Sequence, residues 1–208
     1  MIDVDGFPDG FFSRADETPD VGFYEPVRLV THIDDRAINA VGALYAELGI
    51  DGDVLDLMSS WVSHFAVAPR RLTVLGMNAA ELARNPMAHA RAVHDLNIDP
   101  TLPFADSGFD AAVCCVSVDY LVRPVALFRE VGRVLRDGGT FVCTFSNRLF
   151  PTKAIRGWLE TDDAGHCAIV ERYFTLAGSF APATARRCTP PGPGDPLFAV
   201  WATKRGAI

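Results

Sequence analysis

The chain of 208 residues is 49% hydrophobic and 22% charged, a globular profile for one domain large enough to bury a core. Its 26 acidic and 19 basic residues leave a net charge of −7, which argues against a nucleic-acid partner, because phosphate contacts need clustered Lys and Arg. No apolar run reaches the ~20 residues of a membrane span. MIDVDGFPDG lacks the basic start and apolar core of a signal peptide, and five cysteines without paired spacing fit a reducing, cytoplasmic setting.

Residues 1–26 are acidic, punctuated by Gly and Pro, and carry Phe7, Phe11, Phe12, Phe23 and Tyr24. They read as an irregular arm that either packs its aromatics on the rest of the chain, residues 27–208, or forms a lid over a ligand pocket. Thr31 and Asp34 match the Ser/Thr-x-x-acid start of a helix, and Ile38, Val41, Leu44, Tyr45 and Leu48 supply its apolar face up to Gly49. DVLDLM (53–58) reads as a first strand and LTVL (72–75) as a second. A helix is predicted from Asn78 to Arg84, stopped by Asn85-Pro86. Residues 92–96 read as a third strand, followed by an Asp99-Pro100 turn.

The segment 102–145 carries the strongest pattern. Ala111 to Val116 is a continuous apolar run, as expected of a strand covered on both faces. Pro124 suits the first position of a helix whose stripe is Leu127, Phe128, Val131, Val134 and Leu135. Gly138 and Gly139 are expected to end that helix, and residues 140–145 resume as a strand. Strand, helix and strand in this order imply a parallel βαβ unit. Helices are then expected near 153–159 and over 162–177. TPPGPGDP (189–196) reads as a loop and LFAVWATK (197–204) as a final strand. The basic dipeptides Arg70–Arg71 and Arg186–Arg187 read as solvated turn residues.

The LPF-x-D-x-x-FD lead-in to the central strand and the LR-D-GG-TF entry to the next resemble class I S-adenosylmethionine-dependent methyltransferases. The resemblance implies an α/β, Rossmann-like, seven-stranded and mostly parallel sheet with helices on both faces and an antiparallel last strand. It also implies S-adenosylmethionine as cofactor, bound beyond the C-terminal strand ends.

The family's acidic-x-Gly-x-Gly-x-Gly turn aligns with Asp56-Leu57-Met58-Ser59-Ser60-Trp61-Val62, which keeps the acid and replaces all three glycines. Met58, Ser59 and Ser60 would then face the cofactor, with Ser63 as a further hydroxyl, although Ser59 or Ser60 fits the N-cap of a following helix equally well. The family's Gly-x-Asp, whose acid accepts from ribose, is Gly76-Met77-Asn78 here, and Asn78 with Glu81 has the spacing of an N-cap and its return acid. Asp95 and Leu96 align with the adenine-binding strand end, and Cys115 with the segment lining the transfer site. Cys114 and Cys115 should point to opposite faces.

On the acceptor side the candidates are Tyr24, His32, Asp119 and Tyr120. No metal-ligand spacing occurs. The implied reaction is methyl transfer to a small molecule by in-line displacement, for which a base is not obligatory. The alternative is a non-catalytic binding or regulatory protein that has lost or altered its cofactor site. A nicotinamide dehydrogenase is disfavoured, because the turn after the first strand has no glycine at all.

Overall fold

The computed structural model describes residues 6–206. Its core is a seven-stranded sheet built from β1 (Asp53–Leu57), β2 (Arg71–Gly76), β3 (Ala90–Val93), β4 (Phe109–Cys115), β5 (Leu135–Phe145), β6 (Thr184–Arg187) and β7 (Phe198–Thr203). The order is β3-β2-β1-β4-β5-β7-β6. The first five strands run parallel, and β7 enters antiparallel between β5 and β6. The order reverses between β1 and β4, where a ligand crevice is expected in such sheets.

Alternation along the buried strands sorts side chains onto two faces. Val54, Val74, Ala111, Val113 and Val142 pack against α2 (Asp35–Glu47) through Ala37, Val41, Leu44 and Tyr45. Leu55, Leu57, Ala112, Cys114, Phe141 and Cys143 face the other way, against α4 (Pro124–Val134) and α6 (Asp163–Ala177). Cys114 and Cys115 do fall on opposite faces, each beside a different core. The remaining helices are short: α1 (Asp20–Tyr24), α3 (Ala79–Leu82) and α5 (Arg156–Leu159).

Several expected boundaries move, each for a local reason. The helix expected from Thr31 begins at Asp35, because Asp34 and not Thr31 caps it, accepting from the Ala37 amide at 2.9 Å. The helix α4 ends at Val134, four residues before the glycines. Leu135 turns to extended backbone and already pairs with Phe109, while Gly138, at φ +79°, serves a bulge inside β5. The third strand occupies 90–93 and not 92–96, in register with β2. Arg186 and Arg187 are not turn residues but the edge strand β6. Arg186 forks onto Glu47 at 2.8 and 2.9 Å and lies over the Trp201 ring.

The largest difference follows β1. No helix forms between β1 and β2, so residues 58–70 cross as irregular chain and neither Ser59 nor Ser60 is an N-cap. Phe65 from this crossing is buried against Tyr45 with ring centroids 4.8 Å apart, filling part of the space that a crossover helix would cover.

The N-terminal segment is tied to the body by both its aromatics and its charges. Phe7, Phe11 and Phe12 cluster against Tyr173. Lys153, fully buried, donates to the Thr18 carbonyl at 2.7 Å and pairs with Asp16 and Asp20, each at 3.1 Å. Arg14 meets the same Asp20 through both carboxylate oxygens.

Candidate functional site

A cavity of about 450 Å³ opens along the C-terminal ends of β1, β2 and β4, within the range of small-molecule sites. Its floor is the β1 end. Asp56 is 4% exposed, and its Oδ2 accepts from the hydroxyls of Ser59 at 2.7 Å and Ser63 at 2.6 Å. Burial raises its pKa to about 6, opposed by those two hydroxyl bonds. Oδ1 accepts no hydrogen bond from the described residues, and the side chain lines the cavity.

The turn that follows keeps a glycine-like path without a glycine. Met58 sits at φ +52°, a left-handed conformation that costs an ordinary side chain about 1–2 kcal/mol. Ser59 then donates its amide to the Leu75 carbonyl at 2.8 Å, laying the turn across the end of β2. A Cβ on Gly76 would overlap the Ser59 carbonyl oxygen, so this position of β2 admits only glycine.

At the end of β2, Asn78 is the N-cap of α3. Its Oδ1 accepts from the amides of Ala80 (3.0 Å) and Glu81 (3.1 Å), and its Nδ2 donates to the carbonyls of Tyr24 (2.9 Å) and Glu25 (3.1 Å). Glu81 is not the return acid of that cap. Its carboxylate accepts from the Arg28 amide and from the Ser60 hydroxyl, both at 2.6 Å. Asp95, just past β3, accepts from the amides of Asn97 (2.9 Å) and Ile98 (3.2 Å) and so holds a turn at the cavity wall.

Asp56, Met58, Ser59, Ser60, Gly76, Met77, Asn78, Asp95, Leu96 and Cys115 all line this one cavity, as do Tyr24, His32 and Tyr120. Asp119 does not. It is buried behind the wall with Oδ2 unpartnered among the described residues, and burial raises its pKa to about 7. The Tyr120 hydroxyl accepts from the Phe150 amide at 2.9 Å. Burial lowers the pKa of His32, whose ring lies 5.3 Å from that of Phe150, and burial likewise raises the Tyr24 phenol. Among the described residues no group of three or more potential metal ligands forms.

The sequence signals do not reach several wall residues. Phe150 gathers Phe23, His32 and Tyr120 around its ring but stands in a stretch without periodicity. Tyr45 belongs to the core stripe of α2 and still reaches the cavity, its hydroxyl buried without a hydrogen-bond partner among the described residues. Asn97 joins the Asp20 carboxylate to the Tyr120 carbonyl, a contact between segments far apart in the chain.

Residues 58–143 match a family model described as a methyltransferase domain. The fold is that of the class I S-adenosylmethionine-dependent methyltransferases. Solved structures with this fold include a chain of the complex between the Trm112 methyltransferase activator and a methyltransferase from Haloferax volcanii. It has a TM-score of 0.60 and 16% identity, with 84% of this chain and 92% of that one covered. Another is 1,6-didemethyltoxoflavin-N1-methyltransferase from Burkholderia thailandensis, solved with bound 1,6-didemethyltoxoflavin and S-adenosylhomocysteine (TM-score 0.59, 19% identity, 83% and 80% covered). Uncharacterized proteins of Mycobacterium tuberculosis and Mycobacterium bovis are 34% identical over 104 residues. That alignment takes in 46% of this chain and 36% of each relative, so the match spans only about a third of the relatives' length. No described helix is long and apolar enough to cross a membrane.

Proposed function

We propose that this chain transfers a methyl group from S-adenosylmethionine to a small-molecule acceptor in the cytoplasm. The observation that carries the reading is the cavity itself. It lies at the point where strand order reverses, and buried or half-buried acids stand at its edge from three successive strand ends: Asp56, Glu81 just past β2, and Asp95. The size of the cavity suits a nucleoside ligand, and the unpartnered Oδ1 of Asp56 suits a cationic ligand group. The left-handed backbone at Met58, where the resemblance places the family's first glycine, supports the same reading. The net charge of −7 and the five free cysteines agree with a small acceptor and a reducing setting.

When bound, S-adenosylmethionine supplies an electrophilic methyl group on a sulfonium. The protein's part is positioning and exclusion of water. Asp56 holds the ammonium end of the ligand, Met58, Ser59 and Ser60 line its path, and Asp95 and Leu96 hold the base. Asn78, with every hydrogen-bonding position of its side chain used, shapes the wall without binding. On the acceptor side Tyr24, Tyr120 and Phe150 form an aromatic wall. His32, kept neutral at pH 7 by its lowered pKa, takes the proton of an acceptor that must lose one.

Calorimetric titration with S-adenosylmethionine and S-adenosylhomocysteine, beside NAD, tests the reading. Binding of the first two alone is expected. Absence of binding at millimolar ligand would favour the second reading, a methyltransferase-fold protein without cofactor, which the replaced glycines and the missing crossover helix keep in play.

A further inference from the structure

Each acid that lines the cavity has donors of its own, whereas its two arginines have no acid. Asp20 pairs with Arg14 and Lys153, and Asp56 accepts from two hydroxyls. Glu81 accepts from the Arg28 amide and Ser60, and Asp95 from the amides of its turn. Arg28 and Arg148 line the same cavity, and neither forms an ion pair among the described residues. In a chain with 26 acidic residues against 19 basic ones, two such guanidinium groups on one wall oppose the charge of the protein as a whole.

Arg28 is held in place without being used up. Its half-buried guanidinium lies 4.8 Å from the centre of the Phe23 ring and 5.9 Å from that of Phe150. One Nη donates to the Phe23 carbonyl at 2.8 Å and the other to the Pro26 carbonyl at 3.4 Å. A guanidinium has about five N–H donors, so roughly three stay free. The rings and carbonyls fix the side chain before any ligand arrives, which lowers the cost of each further bond. Arg148 is exposed and stands two residues before Phe150, on the loop that follows β5. Around Phe150 the wall is aromatic, with the rings of Phe23, His32 and Tyr120 centred 5.2, 5.3 and 5.9 Å away. Such a wall suits a flat apolar body, and the free guanidinium donors suit an anionic group attached to it.

Building on the methyltransferase reading, we propose that the methyl acceptor is a flat apolar molecule bearing an oxyanion group, a carboxylate or a phosphate. Arg28 receives that group on its free N–H donors, Arg148 adds a second positive charge, and Phe150 carries the apolar body. β5, whose following loop holds Arg148 and Phe150, is two strands away in the sheet from β1, which carries Asp56. The two arginines thus select the acceptor and leave the cofactor to the other end of the cavity.

The test titrates the protein, saturated with S-adenosylhomocysteine, with benzoate, phenyl phosphate and neutral benzamide. At least one anion should bind about tenfold tighter than benzamide. Arg28→Gln should cut that preference to less than about threefold and keep affinity for S-adenosylhomocysteine within about threefold of the wild type. Arg148→Gln, at an exposed position, should lower the preference by about two- to threefold. The preference is the deciding quantity, because an Arg28 that only braced its segment would change all three probes alike. Benzamide binding as tightly as both anions, or no binding of any probe, overturns the proposal and leaves the methyltransferase reading intact. A preference that survives Arg28→Gln overturns it too, as does loss of S-adenosylhomocysteine in that variant, which would assign the guanidinium to the cofactor. Should Arg28→Gln not fold, the Nε–H resonance of Arg28 in the wild type decides. It should move with the anion that binds and stay with benzamide, and a resonance unmoved by either anion overturns the assignment. A wild type that does not bind S-adenosylhomocysteine overturns the methyltransferase reading itself.

Discussion

The α-carbon of Gly76 faces the carbonyl oxygen of Ser59 so closely that no side chain fits between them. This contact sets the shape of the cavity, because the turn after β1 rests directly on the end of β2. Gly76→Ala must push the turn away, and the obstacle is backbone, not a flexible side-chain tip. A loss of about 1–3 kcal/mol in urea unfolding is expected. A change below about 0.5 kcal/mol would show that the turn is not seated as described.

Asp56 and Asp119 make stability depend on pH in an uncommon direction. Burial raises their pKa values from 3.8 to about 6 and about 7, so the folded protein holds these protons more tightly than the unfolded chain. From pH ~4 to ~7 the folded state therefore binds more protons, and stability falls as pH rises through that window. The lowered carboxylates of Asp16, Asp20 and Asp110 act the other way, but only below pH ~4, where their folded-state charge is lost. His32 and His64, whose pKa values burial lowers, oppose this fall up to pH ~6.5, so the loss of stability carried by Asp119 should stand clear above that pH. Asp119→Asn, which removes a buried charge with an unpartnered oxygen, should add about 1–3 kcal/mol at pH 8 and flatten the slope. An unchanged slope would mean that Asp119 is ionised at no cost.

The cluster around Lys153 makes the N-terminal segment part of the folded structure. Lys153 is fully buried between Asp16 and Asp20, and its loss leaves Asp20 with Arg14 as its cationic partner and Asp16 with none among the described residues. Lys153→Met should cost about 3–5 kcal/mol. The N-terminal segment should also come free, with trypsin cutting at Arg14 much faster than in the wild type. Equal cleavage rates would show that Phe7, Phe11 and Phe12 hold the segment without the charges.

How far the sequence could be read depended on whether the signal was local. The apolar run in β4, the Pro124 start of α4 and the acid at the end of β1 are set within a few residues, and each is found where periodicity and capping place it. Helix ends were harder. Leu135 carries the helical stripe onward in sequence but pairs with Phe109 across the sheet, a preference that only the register of β4 and β5 reveals. The missing crossover helix was invisible because a Ser-rich turn after a strand reads as a cap whether or not a helix follows. Every residue aligned with the cofactor site by the resemblance does line one cavity, yet the partners of Asn78 and Glu81 come from residues 24–28, about fifty positions away. No spacing rule reaches that far.

Met58 offers the most direct trial of how this turn manages without glycine. At φ +52° its backbone is strained while its side chain occupies cavity wall. Met58→Gly relieves about 1–2 kcal/mol of strain. It also gives up the packing of Met58 on the core and adds about 0.5–1 kcal/mol of unfolded-state entropy. These terms nearly cancel, so stability should stay within about 1 kcal/mol of the wild type. Affinity is another matter, since a side chain leaves the space along the ligand path and nothing polar is lost. Titration with S-adenosylhomocysteine should show severalfold tighter binding to Met58→Gly. Weaker binding would mean that the thioether is itself a contact surface for the ligand, and that the turn has replaced the family's glycines with a wall of its own.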